Sequence, residues 1–295
     1  MVPATGIAAH AKVHNMDSVA TSRQSAFEPA EILGGLYGDG IIACRAAFSR
    51  EWVARLRCDI DTLFDEARLQ PGGALNRGPN RFYVEVHSER IDGFLQLVTH
   101  PWFVAVCTNV LGPHYRIVEA GFDVPGPGAM NQPWHRDFAM PEVTATTRRL
   151  DSLAFNLTTV DVTEAMGPLE IALGTQWDDL SDSGDAAGMF PPKSWYPRYA
   201  ARAQRRMPQI GDISARSALT IHRGTANHSS LSRPVFVLGV DAPDGKNAER
   251  HDLQVTQTFW NRLPAAVREH LACRVVDALE PIVQAHTIEG LKMGE

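Results

Sequence analysis

The stretch after Pro113 restricts the fold more than any other part of the chain. It consists of short runs rich in β-branched and aromatic residues, separated by turn signals such as Pro125-Gly126-Pro127-Gly128. Many short strands divided by turns of this kind are typical of β-sandwiches and barrels. The predicted strands cover residues 115–120, 153–160, 168–172, 217–222 and 235–240.

The preceding stretch has a helical pattern instead. Apolar residues between Phe48 and Ala67 recur three and four positions apart, which predicts an amphipathic helix with Ser49 as its N-cap. Further helices are predicted over residues 101–111 and about 264–285. Helices followed by many short strands indicate an α+β fold built on a sandwich or barrel.

Length and composition predict one domain that follows an N-terminal tail and contains one insertion. The chain has 295 residues, 44% of them hydrophobic, and all-β sandwiches or barrels of roughly 200–250 residues often form a single unit. Residues 1–26 are polar and lack a sustained period, so we predict a disordered tail before one domain at 27–295. Residues 178–208 carry few strand signals and are predicted to form a lid-like insertion.

Charge and hydropathy argue against several classes of protein. A formal net charge of -6 disfavours nucleic-acid binding, which needs a basic surface to neutralise phosphates. No run of about 18 apolar residues and no signal-peptide pattern is present, so a cytoplasmic protein without a membrane span is predicted. The four cysteines are scattered without a CxxC pair, which disfavours zinc-finger and redox motifs.

The tetrapeptide Trp134-His135-Arg136-Asp137 has the spacing of a metal site. In a strand, alternate side chains share a face, so His135 and Asp137 would project together while Trp134 and Arg136 point the other way. An imidazole and a carboxylate placed in this way can reach one ion. A chain with 11 histidines also produces such a triplet by chance, and a surface pair or a buried structural histidine is the alternative.

A third ligand would have to come from elsewhere, and His222 is the candidate. It ends the predicted strand over 217–222, whereas its rival His228 would lie in the following turn. Two histidines and one carboxylate on one face of an ion form the facial triad of non-haem iron(II) oxygenases. This arrangement leaves coordination positions open, unlike a closed structural zinc site.

Arg233 lies eleven residues after His222, at the start of the next apolar run. Burying a guanidinium inside a small barrel is costly unless an anion pairs with it. A carboxylate can accept two parallel hydrogen bonds from the guanidinium, so a dicarboxylate cosubstrate would satisfy this side chain.

These motifs together resemble the phytanoyl-CoA dioxygenase family of iron(II)/2-oxoglutarate oxygenases. The resemblance covers roughly residues 38–240 and includes His135-Arg136-Asp137, the stretch 222–229 and Arg233. The stretch 153–175, with its Gly-Pro-Leu turn, and Gly211-Asp212 also fit the family pattern. Two departures are Arg223 directly after the distal histidine and 172–176, which reads ALGTQ where the family usually has Pro-Gly-Ser-His.

The resemblance implies a double-stranded β-helix (jelly-roll, cupin-like) core flanked by helices. It also implies iron(II) held by the triad and 2-oxoglutarate paired with Arg233. With O2, such an enzyme oxidises a small-molecule substrate, most often by hydroxylation, and releases succinate and CO2. Gln132 and Asn156 would contact the cosubstrate, although both could equally be ordinary polar residues satisfied by their neighbours.

Two other classes of protein stay open at this point. One is a metal-dependent hydrolase that uses the same triad, and the other is a catalytically silent barrel that binds a ligand. The intact triad and Arg233 favour the oxygenase, because neither a hydrolase nor a silent barrel needs that arginine. A monomer or a homodimer is expected.

Overall fold

The computed structural model describes residues 27–185 and 187–283. The predicted tail at 1–26 therefore lies outside the described residues. The described chain contains a helical layer, a large antiparallel sheet and a smaller sheet facing it. No helix of this part of the chain is long and apolar enough to cross a membrane.

Helices and strands are numbered separately in chain order. The helices are α1 (Pro29–Gly38), α2 (Arg50–Leu69), α3 (Phe94–Val98), α4 (Pro101–Leu111), α5 (Glu142–Thr147), α6 (Tyr196–Ala200), α7 (Gln257–Arg262) and α8 (Ala265–Arg268). The strands are β1 (Ile41–Cys44), β2 (Leu75–Asn76), β3 (Arg81–Glu85), β4 (Arg116–Pro125), β5 (Ser152–Thr158), β6 (Leu169–Ala172), β7 (Ala203–Arg206), β8 (Ile213–Ser217), β9 (His222–Gly224), β10 (Val235–Asp241), β11 (Gln254–Thr256) and β12 (Arg274–Val276).

Two antiparallel sheets form the core of the fold. The large sheet has the strand order β1-β8-β5-β10-β4-β3-β2, and the small sheet has the order β7-β6-β9. Several neighbours are distant in sequence, such as β5 with β10, β5 with β8 and β6 with β9, as in a jelly roll, where the chain crosses repeatedly between two sheets. The predicted α+β fold with a double-stranded β-helix core is confirmed.

The two faces of the large sheet have different environments. On β5, Phe155 and Leu157 face the helical layer, where the ring of Phe155 lies 4.5 Å from the ring of Phe103 on α4. Ala154, Asn156 and Thr158 alternate with them and face a cavity between the sheets. This alternation follows from the pleat of a strand and places polar side chains inside the molecule.

Two predicted helices are confirmed, with bounds that agree to within two residues. The helix α2 begins after Ser49, whose hydroxyl accepts a hydrogen bond from the backbone N–H of Trp52 at 3.2 Å. This contact satisfies one of the amide groups left free in the first turn of a helix. The helix α4 has the predicted bounds, 101–111.

The strand predicted over 217–222 is wrong in its bounds. The chain leaves the large sheet at Ser217 and enters the small sheet at His222, with a turn in which the amide of Thr220 donates to the carbonyl of Ser217 at 3.1 Å. An apolar run cannot reveal by itself that the chain crosses between two sheets. The run was therefore mistaken for one continuous strand.

The C-terminal helix predicted over about 264–285 is also wrong. Only Ala265–Arg268 is helical, and the chain then becomes extended and forms β12, while residues 284–295 lie outside the described part. The backbone of Ile117 donates to His270 O at 2.7 Å and accepts from Ala272 N at 2.9 Å. Pairing with a distant strand therefore overrides the local helical preference.

The predicted insertion at 178–208 includes an element that the sequence did not indicate. Residues 203–206 form β7, which pairs antiparallel with β6 and completes the small sheet. Residues 205–209 lie on the wall of the cavity between the sheets. Whether the segment acts as a lid stays a prediction.

Candidate metal centre and cosubstrate pocket

A cavity of about 720 Å³ lies between the inner face of the large sheet and the small sheet. This volume falls in the range that is common for pockets that bind small ligands. The six site residues proposed from the sequence all line it: Gln132, His135, Asp137, Asn156, His222 and Arg233.

Within residues 134–137, His135 forms an isolated antiparallel bridge with His222, the first residue of β9. The amide of His135 donates to the carbonyl of His222 at 3.0 Å, and the reverse bond measures 2.8 Å. Trp134 and Arg136 are buried on the opposite side, and Arg136 donates to Asp178 O at 2.6 Å. The predicted alternation is present, although the segment forms an isolated bridge rather than a regular strand.

The structure brings His135, Asp137 and His222 together. One potential ligand atom from each lies within 4.8 Å of the others, and His222 Nε2 is 3.5 Å from Asp137 Oδ1. His228, the rival of His222, is exposed in the turn after β9. Among the described residues, no other group of three His, Cys, Asp or Glu side chains has this arrangement.

Backbone carbonyl groups orient both imidazoles. His135 Nδ1 lies 2.9 Å from Pro133 O, and His222 Nδ1 lies 2.9 Å from Thr220 O. A carbonyl oxygen only accepts, so each Nδ1 carries the proton and donates it. The lone pair is therefore on Nε2 of each ring, which is the form that binds a metal ion.

The charge states of the three side chains also suit a cation. Burial lowers the pKa of His135 to about 4 and the pKa of His222 well below its ordinary value, with Arg216 adding to the second effect. Burial by itself raises the pKa of Asp137, but Arg216 and the two imidazoles outweigh it and bring the pKa to about 2. At neutral pH the cluster thus offers two neutral imidazoles and one carboxylate.

This donor set fits a single iron(II) ion. Imidazole and carboxylate are ligands that mid-row divalent metals accept, and three protein donors leave positions free for small molecules. The cluster lines the large cavity, so those positions would be accessible to a cosubstrate.

Arg216 is a functional candidate that the sequence reasoning missed. It lies on β8 and forms a two-pronged contact with Asp137, with Nη1–Oδ2 at 2.6 Å and Nη2–Oδ1 at 3.2 Å. Its side chain is only 8% exposed. A signal did exist, because a charged residue alternates with apolar ones in Ile213–Ser217, but the strand itself was predicted four residues too late.

A second polar cluster surrounds Arg233, which lies two residues before β10. Arg233 is buried, and its Nε donates to Met166 O at 3.2 Å. Next to it, Arg81 binds Asp123 through bonds of 2.9 and 2.6 Å. Burial and then the neighbouring Arg81 lower the pKa of Arg233 to about 10, so the side chain is still a cation at neutral pH.

The two weaker candidates occupy different environments. Gln132 is bonded to β9, since its side-chain Oε1 accepts from the backbone N–H of Gly224 at 2.8 Å and its backbone N–H donates to Gly224 O at 2.9 Å. Asn156 faces the cavity from β5, and its buried Oδ1 has no hydrogen-bond partner among the described residues. Gln132 thus has a structural role in addition to any ligand contact.

Arg223, which departs from the family pattern, points away from the metal cluster. Its Nε donates to Glu170 Oε2 at 2.7 Å, and its guanidinium lies 4.6 Å from the ring centroid of Trp134. Arg223 therefore supports the back of the small sheet.

A jelly-roll core with a His-Asp-His cluster opening into a ligand-sized cavity defines the class of non-haem iron, 2-oxoglutarate-dependent oxygenases. The chain belongs to the phytanoyl-CoA dioxygenase (PhyH) family, whose sequence profile matches residues 36–235. The matched region contains the whole triad and Arg233. Among curated proteins, none has significant sequence similarity to this chain.

Solved structures agree on the fold. The non-haem α-ketoglutarate-dependent carbocyclase SnoK from nogalamycin biosynthesis has a TM-score of 0.59 at 17% identity, over 72% of this chain and 84% of SnoK. EctD from S. alaskensis in its apoform gives 0.58 at 19%, over 77% and 82%. HygX from Streptomyces hygroscopicus, with nickel and 2-oxoglutarate bound, gives 0.55 at 12%, over 76% and 90%.

Proposed function

We propose that the protein is an Fe(II)- and 2-oxoglutarate-dependent dioxygenase that hydroxylates a small-molecule metabolite, with release of succinate and CO2. The observation that carries the proposal is the His135-Asp137-His222 cluster on the wall of a cavity of about 720 Å³. The buried cation Arg233 lines the same cavity. The proposed metal ligands and the arginine proposed to bind a carboxylate thus line the same cavity.

Each residue of the pocket has a proposed task. Nε2 of His135, Nε2 of His222 and a carboxylate oxygen of Asp137 would hold the iron. Arg233 would pair with the distal carboxylate of 2-oxoglutarate through two parallel hydrogen bonds. When bound, the iron and the 2-oxo acid supply the oxidation of a C–H bond by O2.

Arg81 and Asn156 support the same placement of the cosubstrate. Arg81 Nη1 and Asn156 Oδ1 are buried on the cavity wall without a hydrogen-bond partner among the described residues. A buried polar atom without a partner is costly, so a polar ligand would remove that penalty. We propose Asn156 and Gln132 as cosubstrate contacts, with Gln132 acting mainly through its bonds to Gly224.

A group of polar side chains on the cavity wall favours a polar substrate. Tyr83 donates its hydroxyl to Glu119, and His251 Nδ1 lies 3.1 Å from Glu85 Oε1. These four residues line the same cavity as the metal cluster. A substrate with hydroxyl or amino groups would find both donors and acceptors there.

Small molecules also appear in structurally similar proteins. The epimerase SnoN was solved with Fe3+, α-ketoglutarate and nogalamycin RO, and EctD with 2-oxoglutarate and 5-hydroxyectoine. For the present protein we propose a small-molecule substrate, a cytoplasmic location, a monomeric or homodimeric state and no nucleic-acid partner.

An anaerobic titration tests the proposed function without knowledge of the substrate. The metal-free protein is loaded with iron(II), and 2-oxoglutarate is added while the visible spectrum is recorded. We expect a weak charge-transfer band that saturates with 2-oxoglutarate and is lost in Asp137→Ala and Arg233→Ala. Asp39→Ala and Arg45→Ala are matched controls, because both residues are exposed on the wall of the same cavity.

The competing classes give different results in this titration. A metal-dependent hydrolase would bind the ion through the triad but would be indifferent to 2-oxoglutarate. A silent binding protein would show neither the band nor a dependence on Asp137. Either result would overturn the proposed oxygenase.

A further inference from the structure

Arg216 places a permanent positive charge directly beside the proposed metal site. The residue projects from β8 of the large sheet, and its terminal nitrogens contact both carboxylate oxygens of Asp137 on the opposite layer. The Arg216 side chain is 8% exposed and the Asp137 side chain 30%, so water screens this pair only weakly. The contact is therefore a strong local constraint on the acidic ligand.

The two oxygens of Asp137 are held unequally. Oδ2 lies 2.6 Å from Arg216, whereas Oδ1 lies 3.2 Å from it and 3.5 Å from His222 Nε2. Oδ1 is thus the oxygen that faces the His222 imidazole and is held less tightly by Arg216. The guanidinium fixes the rotation of the carboxylate and favours binding of the metal through one oxygen only.

Arg216 also changes the charge that a bound ion experiences. Each imidazole donates Nδ1–H to a backbone carbonyl and presents the uncharged Nε2 to the site, and the single negative charge of Asp137 is balanced by Arg216. A divalent ion would therefore keep its full charge of two in this site and would be repelled by the guanidinium. The carboxylate of a 2-oxo acid that binds the ion would bring in the missing negative charge.

We propose that Arg216 is a positioning residue that couples metal binding to binding of the anionic cosubstrate. This inference rests on the proposed function, since it assumes that the triad binds the ion. The guanidinium weakens binding of the ion alone and strengthens binding of the 2-oxo acid to the loaded site. Because binding is reciprocal, each ligand raises the affinity of the site for the other.

The test uses Mn2+, which needs no turnover, and measures its binding by electron paramagnetic resonance with and without 2-oxoglutarate. The coupling is the ratio of the two Mn2+ dissociation constants. In Arg216→Gln we expect Mn2+ alone to bind about tenfold more tightly and the coupling to fall at least about tenfold. Arg45→Gln removes the same charge from an exposed position on the cavity wall and should change neither value.

Arg216→Lys separates charge from geometry, because lysine keeps the charge but cannot form the two-pronged contact. We expect it to retain the coupling to within about threefold of the unmodified protein. Loss of coupling in the lysine variant would refute the role of charge. Circular dichroism and thermal unfolding test whether each variant is folded. If Arg216→Gln is not folded, the coupling measured in Arg216→Lys tests the role of the charge.

Other roles of Arg216 predict different changes in Mn2+ affinity and in the coupling. If Arg216 only holds the carboxylate in place, Arg216→Gln will bind Mn2+ more weakly and leave the coupling unchanged, which overturns the inference alone. If the unmodified protein binds no Mn2+, or if His222→Ala binds it equally well, the metal site is wrong. The proposed function and the inference then fail together.

Discussion

Replacing Arg233 by methionine should affect ligand binding and stability in opposite directions. Arg233 is 5% exposed, and burial together with the neighbouring Arg81 lowers its pKa well below the ordinary value of a guanidinium, to about 10. Each pKa unit corresponds to about 1.4 kcal/mol, so keeping this charge inside the fold costs roughly 3 kcal/mol. A long apolar side chain would occupy a similar volume without that cost.

The stability gain is partly offset. Arg233→Met removes the hydrogen bond from Nε to Met166 O, which contributes about 1 kcal/mol. We therefore expect the metal-free variant to be more stable by about 1–2 kcal/mol, which raises Tm by a few degrees. A gain in stability is the result expected for a buried cation that serves ligand binding and does not stabilise the fold.

Binding of 2-oxoglutarate should become much weaker in the same variant. Two hydrogen bonds from a guanidinium to a carboxylate contribute about 1.5–3 kcal/mol each, so Kd should rise by roughly 10² to 10⁴. The assays are thermal unfolding of the metal-free protein and the anaerobic 2-oxoglutarate titration of the iron(II)-loaded protein. Arg45→Met, at an exposed position on the cavity wall, is the control. A fall in Tm with less than a fivefold rise in Kd would show that Arg233 is a structural residue and refute this reasoning.

Two further predictions concern pH and packing. Burial lowers the pKa of His135 to about 4, so the unfolded chain takes up this proton first as pH falls. The free energy of unfolding should therefore decrease as pH is lowered from about 6.5 to about 4, while the affinity for Mn2+ stays constant over this range. A midpoint of Mn2+ binding near pH 6.5 would contradict the lowered pKa of His135. A Cβ atom at Gly224 would overlap the Arg81 guanidinium, so Gly224→Ala should weaken 2-oxoglutarate binding. Gly34→Ala is the control, because a Cβ atom at this position of α1 would have no neighbouring atom within 4 Å. It should leave 2-oxoglutarate binding unchanged and stabilise the protein by about 0.5–1 kcal/mol. Equal 2-oxoglutarate affinities in the two variants would refute the packing argument.

The local part of the fold could be predicted because its cause is local. The spacing of apolar residues and the cap at Ser49 are sufficient to form α2, and Pro101 and Gly112 bound α4. The C-terminal segment was mispredicted because hydrogen bonds to Ile117, about 150 positions earlier in the chain, determine its extended form. The helix α1 and the strands β1 and β7 were missed, and β1 and β7 depend on partners that are distant in sequence.

Two of the proposed metal ligands could also be predicted from the sequence, because their relation is local. Two residues of one extended segment project to the same side, so His135 and Asp137 follow from their spacing, while the family pattern supplies His222 and Arg233. Arg216, Arg81 and Asp123 have no such spacing, because they come from three different strands of the large sheet. The contact of Arg216 with Asp137 depends on how the two sheets face each other, and the contact of Arg81 with Asp123 depends on the pairing of β3 with β4.

The sequence by itself determined the class of protein, the three proposed metal ligands and the arginine for the cosubstrate. Only the tertiary structure decided the charge around them. It placed Arg216 against Asp137 and Arg81 close enough to Arg233 to lower its pKa, although these pairs are 79 and 152 positions apart in the sequence. The physical reason is that alternation along a strand fixes which face a side chain occupies, whereas the residue that it meets on that face is set by the pairing and packing of strands that are distant in sequence.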